Sequence, residues 1–161
     1  MSEIIVIAHN IRSTHNVGSI FRTCEGFGVT RLILSGYTPY PSVEHDSRLP
    51  HISEKIAQQI HKTALGAEAL VPFVHYDTLD LACPELAGYS LVALEQSADS
   101  INLRDYHPPE KVALLLGEEV HGITPDLLSN CQAVLEIPMH GKKESFNVAV
   151  AAGIALYQLT R

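Results

Sequence analysis

Charge is scarce in this chain. Charged residues make up 18% of its 161 positions, below the roughly 25% usual for a soluble domain. Much of the surface is therefore read as apolar, and a small domain of that kind is expected to cover some of it by assembling. Positive charge is scarcer still, and the net charge is −7. That counts against an extended, non-specific nucleic-acid surface. It leaves open a local basic cluster from Arg12, Arg22, Lys142 and Lys143. No run of eighteen apolar residues is present, so no membrane span is expected. Met1-Ser2-Glu3 leads straight into a strand, with no basic leader and no cleavage site, so no signal peptide is read and the cytoplasm is the expected compartment.

Metal and dinucleotide signatures are also missing. The cysteines are Cys24, Cys83 and Cys131, odd in number, far apart and without zinc spacing. They are read as small buried thiols in a reducing compartment. The nine histidines show no HxxxH pattern, so no metal is expected. A dinucleotide fold needs glycines in its first strand-to-helix turn. That turn, residues 8–16, holds none, and Gly26-Phe27-Gly28 falls after the helix, where a cap explains it. A P-loop is absent. With no repeat, linker or low-complexity run, residues 1–161 are read as one domain.

What is present is an alternation of apolar strands and helices. Ile4-Ile5-Val6-Ile7-Ala8 and Arg31-Leu32-Ile33-Leu34 read as buried strands, as do segments 70–74, 89–94, 112–116 and 133–137. Pro72 marks its strand as an edge or a strand start. Helices are expected over 16–27, 53–65, 78–86, from Pro125 onward, and over 145–160. Residues 37–50 and 95–109 read as loops. This order predicts an α/β fold, a parallel sheet flanked by helices on both faces.

Three polar clusters sit at strand or helix ends. Leu114-Leu115-Leu116 runs into Gly117-Glu118-Glu119-Val120-His121-Gly122. Ile137-Pro138-Met139 leads through a polar loop to Ser145-Phe146-Asn147. Such loops at strand carboxyl ends hold ligands in α/β proteins. One of Ser145 and Asn147 is explained as a helix cap; the other is left for function. Near the amino terminus, Asn16, Ser19 and Arg22 follow one side of a helix. Of Glu118 and Glu119, one is read as an ordinary solvated charge.

Asn16-x-Gly18-x-x-x-Arg22, Gly117-x-Glu119-x-x-Gly122-Ile123, and Ile137-Pro138-Met139 followed by Ser145-x-Asn147-Val148 resemble, in order, the three motifs of the SpoU-type (TrmH-like) RNA ribose 2′-O-methyltransferases of the SPOUT class. The resemblance covers nearly the whole chain. Phe146 departs from the usual leucine, and no RNA-binding extension is visible, so the chain looks like the bare catalytic unit. The resemblance implies a C-terminal deep trefoil knot and a homodimer with the last helix in its contact and the active site at the interface. It implies S-adenosylmethionine as cofactor, bound by Leu94, Glu95, Gly117, Ile137, Met139 and Ser145.

The same resemblance implies an RNA partner, tRNA before ribosomal RNA, and a catalytic set of Arg22, Asn16, Glu119 and Asn147. Arg22 is the family's proposed base. Its guanidinium hardly deprotonates in a protein, so the reading preferred here is that it binds phosphate and steadies the developing alkoxide. Asn16 would orient Arg22 or the ribose, and Glu119 and Asn147 would position Arg22 and substrate. Ala93-Leu94-Glu95-Gln96-Ser97 leans toward the tRNA D-loop enzymes, and the short length toward the wobble-position enzymes. The alternatives are a non-catalytic RNA- or cofactor-binding module of the same fold and a small-molecule methyltransferase.

Overall fold

The structure, a computed structural model, describes residues 2–161. Seven strands form one parallel sheet. They are β1 (Glu3–His9), β2 (Arg31–Ser35), β3 (Phe73–Tyr76), β4 (Ser90–Leu94), β5 (Ile101–Asn102), β6 (Lys111–Leu116) and β7 (Ala133–Glu136). Four α-helices join them: α1 (Thr14–Gly26), α2 (Pro50–Ala64), α3 (Pro125–Ser129) and α4 (Val148–Leu159). The strand order is β3-β2-β1-β6-β4-β7-β5, and every pairing is parallel. All strand carboxyl ends therefore lie along one side of the sheet.

The central strands are apolar without alternation because both their faces are covered. Ile4, Val6 and Ala8 of β1 join the core that packs under α1, α2 and α4. Ile5 and Ile7 point the other way, into a core with Leu91, Leu115 and Ile123. Gly18 lets α1 approach α2. A Cβ there would stand 2.1 Å from Thr63 Oγ1 and 2.3 Å from the Ile60 carbonyl. The glycine of the first motif is thus a helix-packing residue.

The path through the C-terminal half is unusual. From β4 the chain goes to the edge strand β5, returns past β4 to β6, and crosses back to place β7 between β4 and β5. Strand β5 pairs Ile101 with Leu135 and Asn102 with Glu136. It lies in a segment expected to be all loop.

Other boundaries differ from expectation as well. The strand expected over 70–74 begins only at Phe73, because Pro72 has no N–H and joins the ladder through its carbonyl, which accepts from Leu32 N at 2.9 Å. The helix expected over 78–86 is a single 3-10 turn, Pro84–Leu86. Asp80 captures the N–H of Ala82 at 2.9 Å, a local bond that competes with helix, and Pro84 cannot donate. Helix α2 starts at Pro50, a residue read as loop, with the proline in its first turn.

Candidate active site

Strands β6, β4 and β7 are neighbours in the sheet, so the segments that follow them meet. They enclose a cavity of about 270 Å³. Leu94, Leu116, Leu135 and Ile137 give it apolar walls, and Glu95, Gly117 and Ser145 stand among its polar lining. Met139 lies two positions past Ile137 and is not part of the lining.

The loop after β6 is held tightly. Gly122 N donates to the Glu118 carbonyl at 2.9 Å, and the Glu118 carboxylate accepts from His121 N at 3.0 Å. Glu118 therefore caps its own turn. Glu95 reaches across from the end of β4 and accepts from Ile123 N at 2.9 Å and from Gln96 N at 2.8 Å. Gly122 has φ +68°, and a Cβ on it would fall 2.1 Å from Glu95 Oε2. A side chain there would collide with the carboxylate that ties β4 to this loop.

Glu119 turns the other way, toward α1. It accepts from the backbone N–H groups of Arg12 and Ser13 at 3.1 and 3.3 Å, and from Asn16 Nδ2 at 3.2 Å. Burial pushes its pKa up, but these donors outweigh it and hold the carboxyl below the ordinary glutamate value. Asn16 Oδ1 in turn accepts from Asn147 Nδ2 at 3.1 Å. Asn147 Oδ1 caps α4 by accepting from Ala149 N at 2.9 Å and Val150 N at 3.4 Å. A carboxylate only accepts, so the direction of every amide in this chain of bonds is fixed by Glu119.

The helix cap is therefore Asn147, and α4 begins at Val148 rather than at Ser145. Ser145 is exposed at the cavity edge. Arg22 is placed differently from the other catalytic candidates. Glu119 and Asn147 bond Asn16, whereas Arg22 lies about 9 Å further along α1 at 1.5 Å per residue. It is exposed and lines a shallow groove with Ser19, Thr23, Lys62 and Gly153. The adjoining groove shares Ser19, Thr23 and Gly153 and reaches Asn147 and Tyr157. Arg22 is not among the residues lining the 270 Å³ cavity of its own chain.

Thiol chemistry has no place here. Cys24 is fully buried, and burial drives its thiol pKa far up. Cys131 is pushed up to about 11 by the same cause. Among the described residues no group of three His, Cys, Asp or Glu is arranged to hold a metal ion. No helix among them is long and apolar enough to cross a membrane. Sequence reasoning missed the direct Asn16–Glu119 and Asn16–Asn147 contacts and the tie from Glu95 to Ile123. Only the shared polar character of those loops pointed toward them.

A model of the SpoU rRNA Methylase family matches residues 3–157. A tRNA (guanosine(18)-2′-O)-methyltransferase of Aquifex aeolicus is 30% identical over 99% of the chain. One of Mus musculus is 30% identical over all of it. The crystal structure of an AdoMet-bound rRNA methyltransferase from Sinorhizobium meliloti superposes with a TM-score of 0.79 at 26% identity over 97% of the chain. The chain spans 69% of the Aquifex protein, 10% of the mouse protein and 55% of the Sinorhizobium one.

Proposed function

Because the chain belongs to the SpoU rRNA Methylase family, we propose that it methylates the 2′-hydroxyl of an RNA ribose, in tRNA before ribosomal RNA. One observation carries this reading. The Glu119–Asn16–Asn147 chain of hydrogen bonds joins all three sequence motifs beside a nucleoside-sized cavity. S-adenosylmethionine, when bound, supplies an electrophilic methyl group on a sulfonium. The cavity suits it. Its apolar walls at Leu94, Leu116, Leu135 and Ile137 fit an adenine, and Glu95, Glu118 and Glu119 place negative charge around a cationic ligand.

The residues then divide the work. Gly117 and Gly122 shape the loop that holds the donor, and Leu94, Glu95 and Ile137 line its site. Met139, two positions past Ile137, lies outside that lining. Asn16, locked between Glu119 and Asn147, fixes where α1 stands relative to the cavity. Each Asn16 polar atom keeps further bonding capacity for a ribose. Ser145 offers a hydroxyl at the cavity edge. Holding the reacting atoms in line lowers the barrier by several kcal/mol, on the order of 7 or more in favourable cases. Arg22 would bind the neighbouring phosphate and steady the alkoxide as the hydroxyl proton passes to solvent water.

A homodimer would account for the position of Arg22. Helix α4 is apolar on every side, and Val150, Ile154 and Tyr157 leave it with an exposed stripe. A helix of that kind is normally covered. A two-fold contact along this stripe would bring Arg22, which borders it, toward the partner's cavity. The same reading takes residues 1–161 as a single SPOUT methyltransferase domain working in the cytoplasm, where its RNA is found. The double passage of the chain beyond β4 supports the trefoil knot. Mass spectrometry of RNA nucleosides from a strain lacking the protein tests the function. One missing 2′-O-methyl mark is expected, and an unchanged set would overturn it.

A further inference from the structure

Tyr37 is an exposed aromatic on an expensive foundation. It follows β2, and 55% of its surface is open. Among the described residues only three polar side chains are buried, and two of them, Ser35 and Thr38, flank it. The Thr38 hydroxyl accepts from Ile11 N at 3.0 Å and lies 2.7 Å from the Ser35 carbonyl and 2.9 Å from that of Ala8. Ser35 Oγ bonds His9 Nδ1 at 2.9 Å, and His9 Nε2 accepts from Asn10 Nδ2 at 3.2 Å. Asn10 Oδ1 then receives the backbone N–H of Tyr37 at 3.2 Å.

This pedestal is strained and interlocked. Asn10 has φ +56° and Gly36 φ +67°. A Cβ on Gly36 would fall 1.8 Å from Asn10 Oδ1. Asparagine is among the few non-glycine residues that adopt the left-handed region, and its side chain is held there by His9 and Tyr37. These bonds tie the ends of β1 and β2 together and fix the backbone that carries the exposed Tyr37.

Tyr37 stands beside the loop that follows β1: its N–H is held by Asn10, two residues before the Arg12 N–H that Glu119 accepts. Tyr37 lies within electrostatic reach of Glu118, Arg12 and Glu119, and burial followed by the Glu118 charge raises its phenol pKa. Arg12 is exposed, and its backbone N–H is held by Glu119. An exposed aromatic ring and an exposed guanidinium, carried by the adjacent segments that follow β2 and β1, offer one surface for a base and one charge for a phosphate.

We propose that Tyr37 and Arg12 grip one nucleotide of the RNA substrate, with the base stacked on Tyr37 and a phosphate paired to Arg12. This rests on the RNA methyltransferase reading and deepens it. The pair binds and positions RNA and takes no part in holding the methyl donor.

The test uses the full chain, labelled S-adenosylmethionine and total RNA from cells deleted for the gene. Tyr37→Ala should raise KM for RNA by roughly 5- to 100-fold, the loss of one base–aromatic stack. Tyr37→Phe should stay within about twofold, because every aromatic keeps a stacking face. Arg12→Gln should weaken RNA binding and lower its salt slope by about one. Donor affinity by calorimetry should be unchanged in all three. Tyr37→Leu repeats the test with a side chain that fills the same place without a stacking face. An unchanged KM in Tyr37→Ala and Tyr37→Leu, a parallel loss of donor affinity, or dissociation of the assembly would overturn the proposal alone. A wild-type protein that methylates no RNA would overturn the underlying reading as well.

Discussion

Asn16 and Asn147, 131 positions apart, meet amide to amide at 3.1 Å. The contact orients both residues, because Glu119 takes one Asn16 amide hydrogen and α4 takes the Asn147 oxygen. Asn147→Asp isolates its value. Aspartate caps a helix as well as asparagine does, but it faces Asn16 Oδ1 with an acceptor. Flipping Asn16 only moves the conflict to Glu119. The expected result is a melting temperature near wild type with methyl transfer reduced at least tenfold. Asn147→Ala should lose both, with a stability cost of about 1 kcal/mol. Thermal unfolding and transfer assays separate the two.

Glu119 gives the network a pH signature. Its pKa is lowered in the folded state, so its ionised form stabilises the fold. That contribution is complete above the unfolded-state value, 4.5, and is lost as pH falls through the lowered folded value. Glu119→Gln should be less stable at neutral pH and should lack this acid-side decline. Urea unfolding between neutral pH and the carboxylate range measures it.

Gly122→Ala should destabilise the protein by roughly 1–3 kcal/mol, because its φ of +68° and the Glu95 carboxylate both reject a Cβ. Donor binding should fall with it. Calorimetry with S-adenosylmethionine and a melting curve on the same sample check both effects.

Much of this arrangement was legible in the chain. Unbroken runs such as Ile4–Ala8 and Leu114–Leu116 announced buried parallel strands, and glycines beside polar residues announced the loops. What stayed hidden depended on distant partners. Strand β5 is two residues long, too short for any periodicity, and exists because β7 arrives beside it. Asp80 broke an expected helix by a local side-chain bond. Asn147 rather than Ser145 caps α4 because Asn16 holds its other end. Glu118, one of two adjacent carboxylates, bonds its own turn while Glu119 crosses to α1, a distinction that composition does not carry. Tyr37 lies in a stretch that reads as loop, and the groups that hold it, His9 and Ser35 among them, come from two different strands.

Arg22→Lys should leave donor affinity unchanged, because Arg22 lies outside the lining of its own chain's cavity. Turnover should fall roughly 10²-fold if its fork steadies charge at the reacting oxygen. Near-normal turnover would remove Arg22 from the mechanism.

Tyr157→Asp should split the proposed dimer. It places a charge on the exposed stripe of α4 without touching the cavity lining. Sedimentation should show monomers, with RNA methylation lost and donor binding retained.

The most direct test incubates the purified protein with methyl-labelled S-adenosylmethionine and RNA from cells lacking it, then digests the RNA to nucleosides. Label is expected in a single ribose 2′-O-methyl nucleoside, and Asn16→Ala should reduce it strongly. Label on a nucleobase, or none with a protein that binds the donor, would contradict the account.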